Sequence, residues 1–261
     1  MDIVVRSMID VAPTVSAVLG LAAPARATGT AIREIVDDLA GASKVAIVAP
    51  DALGMFAWQQ WQDEMPFLKS LHAERRLVLR SVMPSITPVN FATMVSGTDL
   101  DGHGVRTYNH DFACETLFDV VRRAAGKSAG IGIEGYTGSK LLGRCADICG
   151  NAGDGTDDDV ADKVVEIADA HAPEFIIAQL GKVDTVFHRH GPSSPDVVLM
   201  LRDTDARLKR LVGHLAPLGY GILILSDHGQ HDLDESEPGG KRGGHGEDRP
   251  EDRLVPCTWT C

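Results

Sequence analysis

The chain has no apolar run long enough to cross a bilayer, no internal repeat, no low-complexity tract and no heptad array. Those absences exclude a helical membrane protein, a solenoid and a coiled coil, and leave a globular one. It also lacks an excess of basic charge: 25 Lys and Arg against 37 Asp and Glu give a formal net charge of −12. A nonspecific nucleic-acid binder needs a cationic surface to displace counterions from phosphates, so no nucleic-acid partner is expected. The five cysteines, at 114, 145, 149, 257 and 261, are odd in number and show no C-x-x-C spacing. This argues against a disulfide scaffold or a zinc ribbon and for a reduced, cytoplasmic protein. Near the start, "VSAVLGLAAPARA" has the small, apolar flavour of a secretory leader, but Asp2 and Asp10 stand where a leader is basic, and Pro13 interrupts the segment. We expect it to be part of the fold.

With 261 residues, 44% of them hydrophobic, there is enough chain for one substantial core, expected as a single domain over 1–261. Short apolar strands, "KVAIVAP" (44–50), "RLVLRSV" (76–82), "SAGIGI" (128–133), "FIIAQL" (175–180) and "GILILS" (221–226), alternate with amphipathic helical stretches. The pattern predicts an α/β fold with a largely parallel central sheet and helices on both faces. In such sheets ligands bind at the carboxyl ends of the strands. Here those ends are rich in ionisable groups: Asp51 after the first strand, "KVDTVFHRHG" after the fourth, and Asp227-His228 after the fifth.

Singly, these residues have ordinary explanations. Asp51 could be a turn residue, Asp227-His228 a hydrogen-bonded cap, and Asp184-x-x-x-His188 a chance spacing. Together, three carboxylates, three imidazoles and a nearby hydroxyl provide ligands for two divalent cations side by side. Such a pair can activate an attacking oxygen and stabilise a leaving oxygen in one in-line displacement at phosphorus.

The order Asp51, Thr87, Asp184-x-x-x-His188, Asp227-His228, His245 resembles the alkaline phosphatase superfamily and, within it, the nucleotide pyrophosphatase/phosphodiesterase branch. "MPSITPVNFATMVSGTDLDGHGV" is similar to the family's nucleophile segment, and "VDTVFHRHGP", "SDHGQHD" and "GGHGE" to its later metal segments. The resemblance implies that Asp184, His188 and His245 bind one metal, and that Asp51, Asp227, His228 and the Thr87 hydroxyl bind the other. Zinc is the first expectation for both ions, with manganese or iron as alternatives. It further implies that Thr87 is the nucleophile, passing through a phosphothreonine that water hydrolyses, and that Asn109 donates to the transferring oxygens. The substrate is then a small phosphodiester or nucleotide pyrophosphate; a phosphomonoesterase or phosphonate hydrolase on the same core is the alternative. A phosphomutase is disfavoured, because the spacings leave no room for a large cap domain. A non-catalytic metal-binding protein is disfavoured by the complete ligand set.

Thr87 followed by Pro88 also reads as an N-cap and first helical position, with the helix ending near Gly97. The family's diesterases usually carry that proline one position later, which weakens the substrate inference. The modifiable Cys or Ser with a following Arg that marks sulfatases is missing. Residues 9–32 resemble a segment that the superfamily carries after its last metal histidine, which implies a circular permutation with residues 8 and 256 close together. An ordinary N-terminal helix is the plainer alternative. His231 and Asp232, beyond the turn after His228, are expected to have no ligand role, and Gly229 is expected to make that turn.

Overall fold

Successive residues of the long strands face opposite sides of one sheet, and both sides are apolar. The structure, a computed structural model, describes residues 4–153, 155–234 and 239–261. Among these, the strands are β1 (Val5–Ser7), β2 (Lys44–Pro50), β3 (Leu77–Arg80), β4 (Ser128–Gly132), β5 (Ile148–Asn151), β6 (Phe175–Leu180), β7 (Tyr220–Leu225), β8 (His231–Asp232), β9 (Gly243–Gly244) and β10 (Leu254–Thr260). The helices are α1 (Val11–Val18), α2 (Arg33–Asp38), α3 (Met55–Trp61), α4 (Pro66–Glu74), α5 (Thr87–Ser96), α6 (Leu100–His103), α7 (Leu117–Arg123), α8 (Asp157–His171), α9 (Lys182–His190), α10 (Val198–Leu215) and α11 (Pro250–Arg253). Eight strands form a sheet in the order β1-β3-β10-β7-β2-β6-β4-β5, and β8 and β9 form a separate ribbon. Only β10 runs against its neighbours β3 and β7, so the sheet is largely parallel as expected.

Ala46 and Val48 of β2 pack on one side, under α3, α4, α8, α9 and α10. Val45, Ile47 and Ala49 pack on the other, under α1, α2, α5 and α7. A strand covered on both faces gains nothing from polar alternation, hence its unbroken apolar sequence. After β2 the chain forms α3, which ends at Trp61, and Pro66, which lacks a backbone N–H, opens α4. No helix among the described residues is long and apolar enough to cross a membrane.

The sequence reading overlooked β10, because its "LVPCTWT" carries a proline in mid-strand. It also passed over the short edge strands β1 and β5. Val5 and Pro256 both pair with Val78, from opposite sides of β3, so β1 and β10 are separated by that single strand. Residues 145–159, "CADICGNAGDGTDDD", supply β5 and the first turn of α8, with Asp154 outside the described residues.

Candidate metal centre and substrate cleft

Each suspected residue sits where a strand delivers it to the carboxyl edge of the sheet. Asp51 directly follows β2, and its N–H donates to the Leu180 carbonyl at the end of β6 over 2.9 Å. Asp184 and His188 lie one turn apart on α9, which follows β6. Asp227 and His228 follow β7, His245 follows β9, and Thr87 opens α5 after β3. Two groups of potential ligands result: buried Asp51, Asp227 and His228, and half-buried Asp184, His188 and His245. Within each, one ligand atom per residue lies within 4.8 Å of the others. The groups adjoin, since the His228 and His245 rings stack with centroids 4.1 Å apart.

All three imidazoles are held in the same tautomer. Nδ1 of His188, His228 and His245 faces the carbonyl oxygens of Gly243, Gly229 and Ser85 at 2.8, 3.0 and 3.2 Å. A carbonyl only accepts, so each Nδ1 carries a proton, and Nε2 is the nitrogen each ring can present to a ligand. Those Nε2 atoms point at carboxylates: His188 and His245 at Asp184 Oδ1 (3.4 and 3.6 Å), and His228 at Asp227 Oδ2 and Asp51 Oδ1 (3.3 and 3.6 Å). Burial, then the neighbouring His228 and His188, push the His245 imidazole down to about 2, so it stays neutral at any working pH.

The two buried carboxylates are each half satisfied. Asp227 Oδ1 accepts from the Ala52 N–H at 3.1 Å, and Asp51 Oδ2 accepts from Gln179 at 2.5 Å. Their other oxygens, Asp227 Oδ2 and Asp51 Oδ1, have no hydrogen-bond partner among the described residues. An orphaned buried carboxylate oxygen is costly, and burial followed by the charges of Asp227 and Asp184 raises the Asp51 carboxyl well above its ordinary range. A bound cation would reverse that penalty. Two single carboxylate oxygens, one imidazole nitrogen and one hydroxyl make a donor set that fits a divalent metal of borderline character.

Thr87 differs in detail from expectation. Ile86 is the residue at the helix boundary, Thr87 is the first helical residue, and no side chain caps this helix. The hydroxyl therefore remains available, with Oγ1 3.1 Å from His228 Nε2. The far end agrees with the sequence, since Gly97 closes the helix with a left-handed φ of 73°. Gly229 is also reassigned. A Cβ there would lie 2.1 Å from the Glu251 carbonyl oxygen and 2.8 Å from Gly54 Cα, so close backbone approach, not a turn, demands glycine.

Four residues near the ligands were not picked out by the sequence. Gln179 and Gln230 each donate to a suspected ligand, Asp51 and Asp184 respectively. Asp157 accepts from the N–H groups of Gly181 and Lys182 at the start of α9. Asp252, fully buried, accepts from His231 Nδ1 at 2.7 Å and from the Glu247 N–H at 2.9 Å. That pair joins the segment after His228 to the one after His245, while Asp232 accepts from the Ser193 N–H. Neither His231 nor Asp232 belongs to a ligand group.

A cleft of about 440 Å³ opens beside these groups; Asp51, Thr87 and Asp184 form its floor, and Arg106, Tyr108 and Tyr136 are among its walls. Lys140 Nζ lies over the Tyr108 ring, 4.2 Å from its centroid. Arg144 is engaged with Asp111 and the His110 carbonyl. Asn109 is exposed on the rim, one residue past the lining residue Tyr108, and its side chain is not among those lining the cleft.

The architecture is that of the alkaline phosphatase-like α/β fold, with two groups of potential metal ligands at the carboxyl edge of its sheet. Within it the resemblance to the nucleotide pyrophosphatase/phosphodiesterase branch holds: residues 133–241 match the sequence profile of the family described as type I phosphodiesterase / nucleotide pyrophosphatase. Murine ectonucleotide pyrophosphatase/phosphodiesterase 5 shares the fold at a TM-score of 0.66 and 14% identity, over 82% of this chain and 87% of that one. An inactive threonine-to-alanine variant of the same murine protein, in complex with AMP, gives 0.61 and 17%, over 74% of this chain and 58% of that one. Phosphonoacetate hydrolase from Sinorhizobium meliloti 1021, in complex with phosphonoacetate, gives 0.55 and 17%, again over 74% and 58%. This chain thus spans less than two thirds of the length of the latter two. No curated protein matches its sequence.

Proposed function

We propose that the chain is a metal-dependent phosphoric ester hydrolase that uses Thr87 as nucleophile on phosphodiesters or nucleotide pyrophosphates. One observation carries the reading: the Thr87 hydroxyl converges with His228 Nε2 and with two buried carboxylate oxygens that have no other partner among the described residues. Asp51, Asp227, His228 and Thr87 would hold one divalent ion, and Asp184, His188 and His245 the other. Imidazole among the donors disfavours magnesium and calcium, so zinc is proposed, with manganese or iron as alternatives. When bound, the ions would favour the Thr87 alkoxide and offset charge at phosphorus.

The chain's own groups supply the rest. Thr87 lies in the first turn of α5, so the positive end of that helix faces an incoming phosphate, although Pro88 contributes no N–H. Attack by Oγ1 gives a phosphothreonine and releases the first alcohol or phosphate; water then returns Thr87 and frees the second product. Asn109 is retained as the amide donor to the transferring oxygens, reached from the rim. Tyr108 and Tyr136 offer aromatic faces and Arg106 a positive charge, which suits a nucleotide. The AMP held by the murine relative and the inactivity of its threonine variant support the same reading. The phosphonoacetate hydrolase likeness keeps a phosphonate or monoester substrate as the alternative. All five cysteines are free, in keeping with the reduced, cytoplasmic setting we propose.

The test is metal content together with hydrolysis of bis-p-nitrophenyl phosphate, p-nitrophenyl phosphate and phosphonoacetate by wild type and Thr87→Ala. Thr87→Ala should lower turnover of the preferred substrate by about 10³-fold or more. Turnover of every substrate at the wild-type rate would remove Thr87 from the chemistry.

A further inference from the structure

Two buried glutamines stand beside the proposed ligands, one for each group. Gln179 of β6 is 1% exposed; its Nε2 donates to Asp51 Oδ2 over 2.5 Å, and its Oε1 accepts from the Gly138 N–H over 2.6 Å. Gln230, also 1% exposed, donates through Nε2 to Asp184 Oδ1 over 2.7 Å and to the Asp184 carbonyl over 3.2 Å. The orientation of each amide is fixed by chemistry. Exchanging nitrogen and oxygen in Gln179 would set oxygen against a carboxylate and NH2 against an N–H, and in Gln230 would set oxygen against two acceptors.

A primary amide is well suited to this task. A carboxylate ligand must present a chosen oxygen to the cation, and a donor on the other oxygen stops it rotating away. At Asp51 the division is plain, since Oδ2 is held by Gln179 while Oδ1 faces His228 Nε2 at 3.6 Å without a partner among the described residues. Lysine or arginine could make the same bond, but its charge would compete with the cation for the carboxylate. Aspartate or glutamate would repel it. Gln179 also grips Gly138, so the same side chain ties a proposed ligand to the segment whose Tyr136 and Thr137 form the cleft wall. At Gly138 a Cβ would lie 2.4 Å from the Ile131 carbonyl oxygen, so that backbone must approach β4 closely. Gln230 acts differently: it donates to Asp184 Oδ1, the same oxygen that His188 and His245 Nε2 face, and to the Asp184 carbonyl, so it fixes that oxygen relative to its own helix turn while a second lone pair stays free for the cation.

We infer that Gln179 and Gln230 are positioning residues, each holding one carboxylate of one metal group in its ligating orientation without adding charge. The inference rests on the two-metal reading above. Hydrogen bonds to metal-ligating carboxylates typically account for about 10–100-fold in metal affinity.

The experiment is calorimetric titration of the metal-stripped full chain with Zn²⁺, supported by the visible spectrum of the Co²⁺ form. Wild type, Gln179→Met and Gln230→Met are compared, with Asp51→Asn and Asp184→Asn marking which binding event belongs to which group. Wild type should show two events. Gln179→Met should weaken the Asp51 event by about 10–100-fold and leave the other unchanged, and Gln230→Met should do the reverse. Melting in chelator should fall for Gln179→Met, which strands the Gly138 N–H and Asp51 Oδ2, but the metal event it weakens should still be the Asp51 one alone. If a Met variant does not fold, Gln179→Asn or Gln230→Asn, which keep the amide but withdraw it by one methylene, give the same readout. Wild-type affinity at both sites in both variants overturns the inference. So does equal weakening of both events with a lowered melting temperature in chelator, the mark of a general packing role. A wild-type chain that takes up no Zn²⁺ or Co²⁺ fails at the earlier step and overturns the functional reading itself.

Discussion

Asp51 holds a carboxylate almost wholly buried at the edge of the cleft, beside Asp227 and within range of Asp184. Its raised pKa means that the metal-free fold resists the charged form that the unfolded chain adopts freely. Asparagine would keep the bond from Gln179 and turn its own NH2 toward Asp227 Oδ2 and His228 Nε2. Asp51→Asn should therefore melt a few degrees above wild type in chelator at neutral pH and below it in Zn²⁺. A melting temperature in chelator at or below the wild-type value would mean that the carboxylate is not strained. His103 gives a separate test of pH. Its ring is fully buried, Nδ1 accepts from the Val105 N–H at 3.0 Å, and burial lowers its pKa to about 4. The unfolded chain takes up that proton near its ordinary 6.5, so the stability is complete above 6.5 and drains away as the pH falls toward 4. The loss should approach about 3 kcal/mol. Urea midpoints of wild type and His103→Gln between pH 7.5 and 4.5 check this, with the flatter profile expected for His103→Gln.

At the scale of elements, α9 shows most clearly what sequence can and cannot carry. The Asp184-His188 spacing is a single helical turn, so it was legible once a helix was placed after β6. What anchors that helix was not, because Asp157 acts across 24 residues, its Oδ1 accepting from the Gly181 N–H at 2.8 Å. Removing a carboxylate that holds orphan N–H groups at a helix start costs about 0.5–2 kcal/mol. Asp157→Ala should therefore lower the melting temperature in chelator and also weaken Zn²⁺ at the Asp184 group more than at the Asp51 group, in the same titration. Equal effects at both groups would mean that Asp157 merely supports the fold. The long buried strands were legible because burial on both faces leaves an unbroken apolar run, whereas β8 and β9 are each two residues long and exist only through their pairing. Thr87 was recognised but assigned a cap's position, since local pattern reads a hydroxyl before proline as a cap, and only the distant His228 shows where it points. Gln179 left one faint signal, a lone amide in the otherwise apolar "FIIAQL". Gln230 left none, because its partner lies 46 positions away.

For the whole molecule, carboxylates converge where bound cations would balance them. An acidic chain of net charge −12 gathers Asp51, Asp184 and Asp227 at one edge of its sheet, contributed by three segments that meet only when the sheet is complete. The unfolded chain cannot reproduce that geometry, so metal should bind the native state almost alone and stabilise it by mass action. We also propose that residues 9–32 fill the place of the superfamily segment that follows the last metal histidine, consistent with Val5 and Pro256 lying on either side of Val78. On that reading α1 and α2 complete the core they share with α5. At free Zn²⁺ of a hundred times its dissociation constant, one site should contribute about 2.7 kcal/mol, a rise of roughly 5–10 °C in melting temperature over the chelated protein. Thr87→Ala should keep part of that rise, because Asp51, Asp227 and His228 remain. Asp227→Ala combined with Asp184→Ala should abolish it. A rise of wild-type size in that double variant would place the bound metal elsewhere on the molecule and dissolve the case for a two-metal hydrolase.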